Sequence, residues 1–574
     1  MSLGKRLEKD IASETQAAIN GYNKTLDGLM QLYHERKAQD VPAEFAPVLR
    51  GFQDTRLEGM LYVKETILDS RKRCMDGTRK NVLNEIVSWI NAPDVNTPRV
   101  FWLHGLAGQG KSTIIHTIAQ WSENVGNLGT YFCFAGDRQI DRRHERIFTT
   151  IARDLADRDL SFGQALVDAV TKYPSLKTTR DVMQQWQNLL LEPISKVSDG
   201  AMRNVVIIID GLDESGPNSS RMHILAALAS KEAASLPPNF RILLASRPLS
   251  DIQLALDSCP HMKVLSLTGF STESIEKELR FYISNQISKY SGIEPDEIEV
   301  MAKKSSGLYE VARLSCYYLN PHVPGMSAKE RLVDMVELVH GKEEPLLDTM
   351  YSATLDAIIG PRPLPRQRFC SVMRQVIYTY EPLSMEAFTK MRRHFSQEAD
   401  QYDSNIIISF MGIVLTGVKL RTTSVRPMNA SFYEFLASAS RSGRYFSGDP
   451  SVQADLALSS LCVLHDDLRF NICQLENSYI LNSEIEDLRK TVERHISLHL
   501  AYTCKYWIKH LMTTEFTPSL VEKVRGILES EKVLFWLEVL SFHGGLDGAA
   551  VDLASLGRWL QVSSCGYYAE LFSD

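Results

Sequence analysis

The residues with the clearest chemistry are Lys111 and Ser112, which close the run Gly105-Leu106-Ala107-Gly108-Gln109-Gly110-Lys111-Ser112. This run fits the phosphate-loop pattern G-x-x-x-x-G-K-[ST] at every fixed position. Glycines at 105, 108 and 110 let the backbone curl with its N–H groups facing inward. A β-phosphate then sits in a nest of donors at the positive end of the helix that begins near Lys111. In that pose Lys111 reaches the β/γ oxygens, Ser112 ligates Mg²⁺, and the nucleotide-contacting stretch extends to Thr113. An incidental glycine-rich turn would lack the flanks found here, with apolar Val100 to Leu103 before it and helix-periodic Ile114, Ile115, Ile118 and Ala119 after it.

A second set of candidates lies about a hundred residues on. The run from Asn204 through VVIII to Asp210 is continuously apolar and ends in a carboxylate, as expected of a strand buried on both faces of a parallel sheet. Phosphate-loop proteins hold Mg²⁺ through an acid at such a strand end, usually by way of its water. Asp213 and Glu214 follow on the next tight turn, and either could orient or deprotonate a water that attacks a γ-phosphate. Alone, an acidic turn would read as a helix cap; beside a phosphate loop it reads as part of the site. A third apolar run, Phe240 to Ser246, ends in Arg247, which suits a γ-phosphate sensor, with a surface ion pair as the plain alternative.

These groups need a scaffold that brings three strand ends together. Strands are expected at Val100–Leu103, Thr130–Phe134, Val205–Ile209, Arg241–Ala245 and Lys263–Leu267, with helices between them. That alternation predicts an α/β phosphate-loop NTPase core, a parallel sheet with helices on both faces, whose ligand lies at the carboxyl ends of the strands. Before the core, an apolar stripe from about Leu7 to Arg36 predicts a helix. A break at Pro42 and Pro47 separates it from a second helix near Glu58 to Ser70, and an amphipathic helix spans Lys80 to Ile90. The charge-dense run Asp141 to Arg146 reads as a solvated helix start.

From Thr268 the pattern is helical, with helices at Thr272–Tyr290, Tyr309–Leu319, from Lys329, and Leu346–Ile358. Arg366–Tyr380, Ser384–His394 and Asp403–Gly412 follow, then short strands Val414–Leu420 and Val425–Met428. Three helices and a β-ribbon resemble a winged helix, yet Ser384–His394 has too few cations for a DNA-recognition helix. Beyond Arg441 the chain is helical, and its aromatics, among them Phe446, Phe470, Tyr502, Trp507, Trp536 and Trp559, have the spacing of core residues.

The phosphate loop together with IDGLDE (Ile209 to Glu214) and ASRP (Ala245 to Pro248) resembles the NACHT class of signal-transduction (STAND) nucleotide switches, which includes the NOD-like receptors. The stretches CMDGTR (Cys74 to Arg79), FWLHGLAGQGKST (Phe101 to Thr113) and ERIFTTIARDLADRD (Glu145 to Asp159) are similar to those of basidiomycete fungal NACHT proteins, a likeness that runs from about Asp69 to Gly545. The resemblance implies five parts: an N-terminal helical segment (1–75), a NACHT nucleotide-binding domain (76–267), a helical subdomain (268–360), a winged-helix-like domain (361–440) and a C-terminal helical domain (441–574).

It further implies that Thr78 and Arg79 lie beside the bound nucleotide, and that Asn429 occupies the place of a histidine aimed at the β-phosphate of ADP. Asparagine still donates a hydrogen bond but is shorter and uncharged at every pH. Related chains often continue into WD repeats; no blade-length period with a Trp-Asp signature is present here. The implied activity is slow NTP hydrolysis in a switch that binds ATP or GTP with Mg²⁺ and rests on ADP. Its settings are innate recognition or programmed cell death, with self-association on activation and a protein effector or sensor. The alternatives are a conventional ATPase coupled to mechanical or chemical work, and a scaffold that holds nucleotide for stability. The absence of an Asn-Lys-x-Asp guanine signature leans toward ATP.

Composition bounds these readings. The chain of 574 residues should divide into about three to five units of 100–200 residues. A net charge of −7 and a pI near 6.1 argue against a nucleic-acid-binding surface spread along the chain. Nine cysteines, an odd number without a C-x-x-C pair, read as reduced thiols in a cytoplasmic protein. The longest apolar candidate, Ile406 to Val418, is interrupted by Ser409, Gly412 and Thr416, so no membrane span is expected. The charged amino terminus lacks the apolar core of a signal peptide.

Overall fold

The computed structural model describes residues 46–571 except 61, 64–71, 135–143, 198–203, 258, 289–292, 320–325, 340–344, 478–484, 486, 516 and 544. The helix expected between Leu7 and Arg36 lies outside the described residues, as do Asp141, Arg142 and Arg143.

Five parallel strands form the central sheet: β1 (Val100–His104), β2 (Leu128–Cys133), β3 (Val205–Asp210), β4 (Phe240–Ser246) and β5 (Met262–Ser266). Their order is β2-β3-β4-β1-β5, so one strand, β4, separates the strand that feeds the phosphate loop from the strand that ends in Asp210. β1 and β3 are apolar up to their last residue because both faces are buried, whereas the edge strand β5 carries Lys263 and an exposed Val264. Trp102, Ile207, Ile209, Ile242 and Leu244 enter one core with Phe148, Ile151 and Leu225 of the covering helices. Phe101, Leu103, Val206, Ile208 and Leu243 enter the other with Ile114, Ile115, Ile118, Val82 and Ile86. This alternation, one residue to each face, is what a period of two requires of a strand covered on both sides.

Several elements differ from the expectation for local reasons. The segment before the core forms a helix at Ala46–Leu57 instead of breaking at Pro47. Glu58 and Gly59 then turn, which ends the helix; the second helix, expected at Glu58 to Ser70, lies mostly outside the described residues. Asp403–Gly412 contracts to a single turn, Asn405–Ile408. The two expected ribbon strands shorten to β6 (Leu415–Thr416) and β7 (Arg426–Pro427), antiparallel. Gly417 causes part of this: at φ +79° it sits so close to the Ser424 carbonyl that a Cβ would lie 2.1 Å from that oxygen, a tight bend that ends the ladder. Pro427 removes a further donor.

After the sheet, helices Thr272–Ile287, Pro295–Lys304, Tyr309–Tyr318, Ala328–Val339, Leu346–Ile359, Pro363–Tyr378, Met385–Arg392 and Ala430–Ala437 share one hydrophobic cluster, which reaches Val452 and Leu456 and takes in Tyr502 and Tyr506. The C-terminal helices, from Val452–Asp467 to Leu546–Leu571, have their own core around Trp507 and Trp536, which meet edge to face at 5.8 Å. Trp536 Nε1 donates to the Cys504 carbonyl at 2.8 Å, which satisfies its buried N–H. Phe470 departs from the core reading: it is 80% exposed and touches Phe535 edge-on. Among the described residues no helix is long and apolar enough to cross a membrane.

A buried histidine gives the C-terminal core a pH response. His510 has Nε2 2.6 Å from the Tyr502 hydroxyl and Nδ1 2.6 Å from Gln453 Oε1. Burial pushes its pKa down to about 3. An unfolded histidine takes its proton near pH 6.5, so between those values the unfolded state binds more protons and stability falls as pH falls, by about 1.4 kcal/mol per unit. Thermal melts between pH 7 and 4 should show this slope in the wild type and a flatter one in His510→Gln; equal slopes would remove His510 as the cause.

Candidate phosphate-binding site

The loop after β1 has the curl that its glycines allow. Gly108 (φ +79°) and Gly110 (φ +86°) are left-handed, and Gly110 is the N-cap of helix Lys111–Val125. Gly105 leaves room for the Gln109 side chain, since a Cβ there would lie 2.3 Å from Gln109 Oε1 and displace it. That oxygen accepts from the Leu106 backbone N–H at 2.7 Å, which fixes the turn from inside; Leu106 is exposed and Ala107 half-buried. Lys111 Nζ lies across the loop, donating to the carbonyls of Gly105 (2.8 Å) and Leu106 (3.0 Å). Burial lowers its pKa against the upward pull of the Asp213 and Asp210 carboxylates. Thr113 takes its place in the first turn of the helix, its carbonyl accepting from Thr117 Oγ1 at 2.8 Å.

The helix packs against β2, β3 and β4, and this brings Ser112 under the end of β3. Ser112 Oγ donates to Asp210 Oδ1 at 3.2 Å, across 98 residues of sequence. Asp210 is buried, and burial raises its pKa against the stabilising pull of His116, the Ser112 hydroxyl and Lys111. The Tyr131 hydroxyl, 3.5 Å from Asp210 Oδ2, and the His116 ring beside it complete the cluster. Two oxygen donors, one of them a carboxylate, suit a hard cation that brings phosphate oxygens as its other ligands. Among the described residues no group of three or more His, Cys, Asp or Glu side chains is placed to hold a metal without such help.

The acidic turn and the arginine meet beside this pair. Asp213 accepts from the Arg247 backbone N–H (2.9 Å) and from Arg247 Nε (2.5 Å). Arg221 steadies the turn by donating to the Gly216 carbonyl at 2.8 Å and to Asp251 at 2.7 Å. Burial, then Asp213 and Asp210, push the Glu214 carboxyl up to about 8, so it is protonated at neutral pH. A group poised there can accept or return a proton near pH 7. Lys111, Ser112, Asp210, Asp213, Glu214 and Arg247 thus share the carboxyl edge of the sheet.

Arg79 reaches the loop, and Thr78 lies just before it in a turn with Met75. Thr78 is buried, with its hydroxyl donating to the Met75 carbonyl at 2.7 Å. Arg79, at φ +56°, donates to the Gln109 carbonyl at 2.6 Å, and its guanidinium lies 4.4 Å from the centre of the Tyr309 ring. Asn429 is the N-cap residue of Ala430–Ala437 without a side-chain cap hydrogen bond, so its site role has no contact behind it in this structure.

Two contributors escaped the sequence reading. The Glu310 backbone N–H donates to the Gly108 carbonyl at 3.1 Å, so helix Tyr309–Tyr318 docks directly on the phosphate loop. Glu434, on helix Ala430–Ala437, pairs with Arg247 through both carboxylate oxygens. For Glu434 the available signal was one carboxylate in an otherwise apolar stretch, ASFYEFLA; for Glu310, whose backbone makes the contact, there was none.

Residues 77–247 match the family described as Nephrocystin 3, N-terminal, a span that opens two residues before Arg79 and closes on Arg247 itself. No curated protein matches the chain. The match and the parallel sheet together mark a NACHT-like, nucleotide-binding NTPase region.

The contact at Gly108 gives a direct test of the loop. A Cβ there would lie 3.2 Å from Glu310 Cβ on a left-handed backbone. Gly108→Ala should cost about 1–2 kcal/mol and loosen the docked helix. Faster proteolysis around residue 308 with a lowered melting temperature is the expected result; unchanged cleavage and melting would show that the contact carries no weight.

Proposed function

We propose that this NACHT-like region binds ATP or GTP with Mg²⁺ and works as a slow signalling switch of the NOD-like receptor type. The observation that carries the reading is the Ser112–Asp210 pair, a hydroxyl and a buried carboxylate 3.2 Å apart at the mouth of a glycine-curled loop. In this proposal the backbone N–H groups of residues 105–113 cradle the β-phosphate, and Lys111 turns from the loop carbonyls to the β/γ oxygens. Ser112 and Asp210 hold Mg²⁺, which neutralises charge on the phosphate oxygens when bound. Asp213 and Glu214 order the attacking water, Arg247 senses the γ-phosphate, and Thr78 and Arg79 flank the nucleotide.

A switch is favoured over a conventional ATPase because the helical units touch the site itself. Helix Tyr309–Tyr318 bonds to the loop at Gly108 and helix Ala430–Ala437 bonds to Arg247, so a change at the phosphates is felt at once by elements outside the sheet. Release of those elements then frees the chain for self-association and for an effector or sensor protein. The winged-helix-like part, the fungal kinship and a setting in innate recognition or programmed cell death belong to this proposal through the resemblance described above.

Mass determination of the nucleotide carried by purified protein tests the reading. Bound diphosphate with turnover far below the enzyme median of about 10 s⁻¹ is expected, and Lys111→Ala should emerge empty. Nucleotide retained by Lys111→Ala, or rapid turnover driven by a substrate, would overturn it. Asn429→His restores a longer, titratable donor at the start of helix Ala430–Ala437 and should slow ADP release. An unchanged release rate takes Asn429 out of the switch.

A further inference from the structure

Helix Ala430–Ala437 has one charged side chain, Glu434, in the sequence ASFYEFLA. It faces the guanidinium of Arg247 squarely: Nη1 donates to Oε2 at 3.1 Å and Nη2 lies 2.7 Å from Oε1. The remaining edge of Arg247, its Nε, is held by Asp213. A planar anion that accepts through two oxygens from one arginine is also how phosphoryl groups are bound. Arg247 directly follows Ser246, which pairs with His104 at the end of β1 just before the phosphate loop, and its charge acts on Lys111 as that of Glu434 acts on Glu214. From behind, Arg441 Nη1 approaches Glu434 Oε2 at 3.7 Å and is itself anchored to buried Asp348 by two bonds of 2.8 Å. The carboxylate is therefore held in position and does not swing freely.

We infer that Glu434 is a specificity-determining residue: it stands on Arg247 where a terminal phosphate would stand, so the docked helix Ala430–Ala437 favours a bound diphosphate over a triphosphate. This rests on the nucleotide reading above. A diphosphate leaves the Arg247–Glu434 pair intact. A triphosphate brings a second anion to a guanidinium whose Nε and both Nη groups already donate to carboxylates, and the two negative groups repel. Binding of the third phosphate and undocking of the helix are then one event, which makes Glu434 the link between nucleotide state and the arrangement of the helical units.

Calorimetry on the full chain with Mg²⁺ separates the possibilities, using ADP and the β,γ-imido analogue of ATP, or the guanine pair if that base is the one carried. Glu434→Gln keeps the side-chain shape and removes its charge. It should raise affinity for the imido triphosphate by about ten-fold while leaving the diphosphate nearly unchanged. In an Arg247→Ala background the same substitution should have no effect. In the wild type, hydrogen exchange across residues 430–437 should accelerate with the imido triphosphate and not with the diphosphate. An equal gain for both nucleotides, no gain, or exchange that ignores the third phosphate would overturn the assignment of Glu434. Failure of the wild type to bind either nucleotide would instead overturn the nucleotide reading.

Discussion

Asp210 ends an apolar strand with its carboxylate buried, and the rest of the site is arranged around that cost. Taking an ionised carboxylate out of water is unfavourable by several kcal/mol even after relaxation, so the edge of the sheet can carry it only where donors and cations converge. Ser112 comes from the first turn of the helix after the loop, Tyr131 from β2, His116 from the second turn of that helix, and Lys111 from its first residue. These requirements fix where the helix must begin relative to β3. They also explain a tyrosine among the apolar residues of β2 and a histidine on the buried side of an isoleucine-rich helix.

The same edge is where the helical units are tied to the sheet. Three contacts do this: Glu310 N–H to the Gly108 carbonyl, Arg79 against Tyr309, and Arg247 to Glu434. Each is modest by itself; a partly exposed ion pair contributes about 1 kcal/mol or less. Their value lies in location, because every one touches the phosphate loop or the strand end beside it. A fixed pair such as Arg441–Asp348, whose aspartate is buried, sets the geometry of the next pair in line more than it adds stability.

Much of this was legible from the chain alone where the pattern was periodic or the spacing fixed. All five sheet strands follow from apolar runs, with ends displaced by at most two residues at Leu128. The loop and its acidic and basic partners follow from position on those strands. The illegible parts share a physical cause, in that their geometry is decided by neighbours distant in sequence. Glu434 meets an arginine 187 residues away, and Glu310 meets the loop through a backbone N–H that no side chain advertises. The short ribbon was over-read because Gly417 bends the chain against Ser424, and Phe470 was over-read because helical spacing does not say which face meets solvent.

The strand order also governs how the molecule is made. β1 is hydrogen-bonded on one side to β4 and on the other to β5, whose residues emerge from the ribosome more than a hundred positions later. Until Phe240–Ser246 and Met262–Ser266 have been synthesised, Val100–His104 has no strand on either side of it. Closing so long a span is entropically slow, and unpaired apolar strands are the surfaces that holding chaperones recognise. The nucleotide loop therefore gains the two strands that flank its own only after the strand that carries Asp210 has been synthesised.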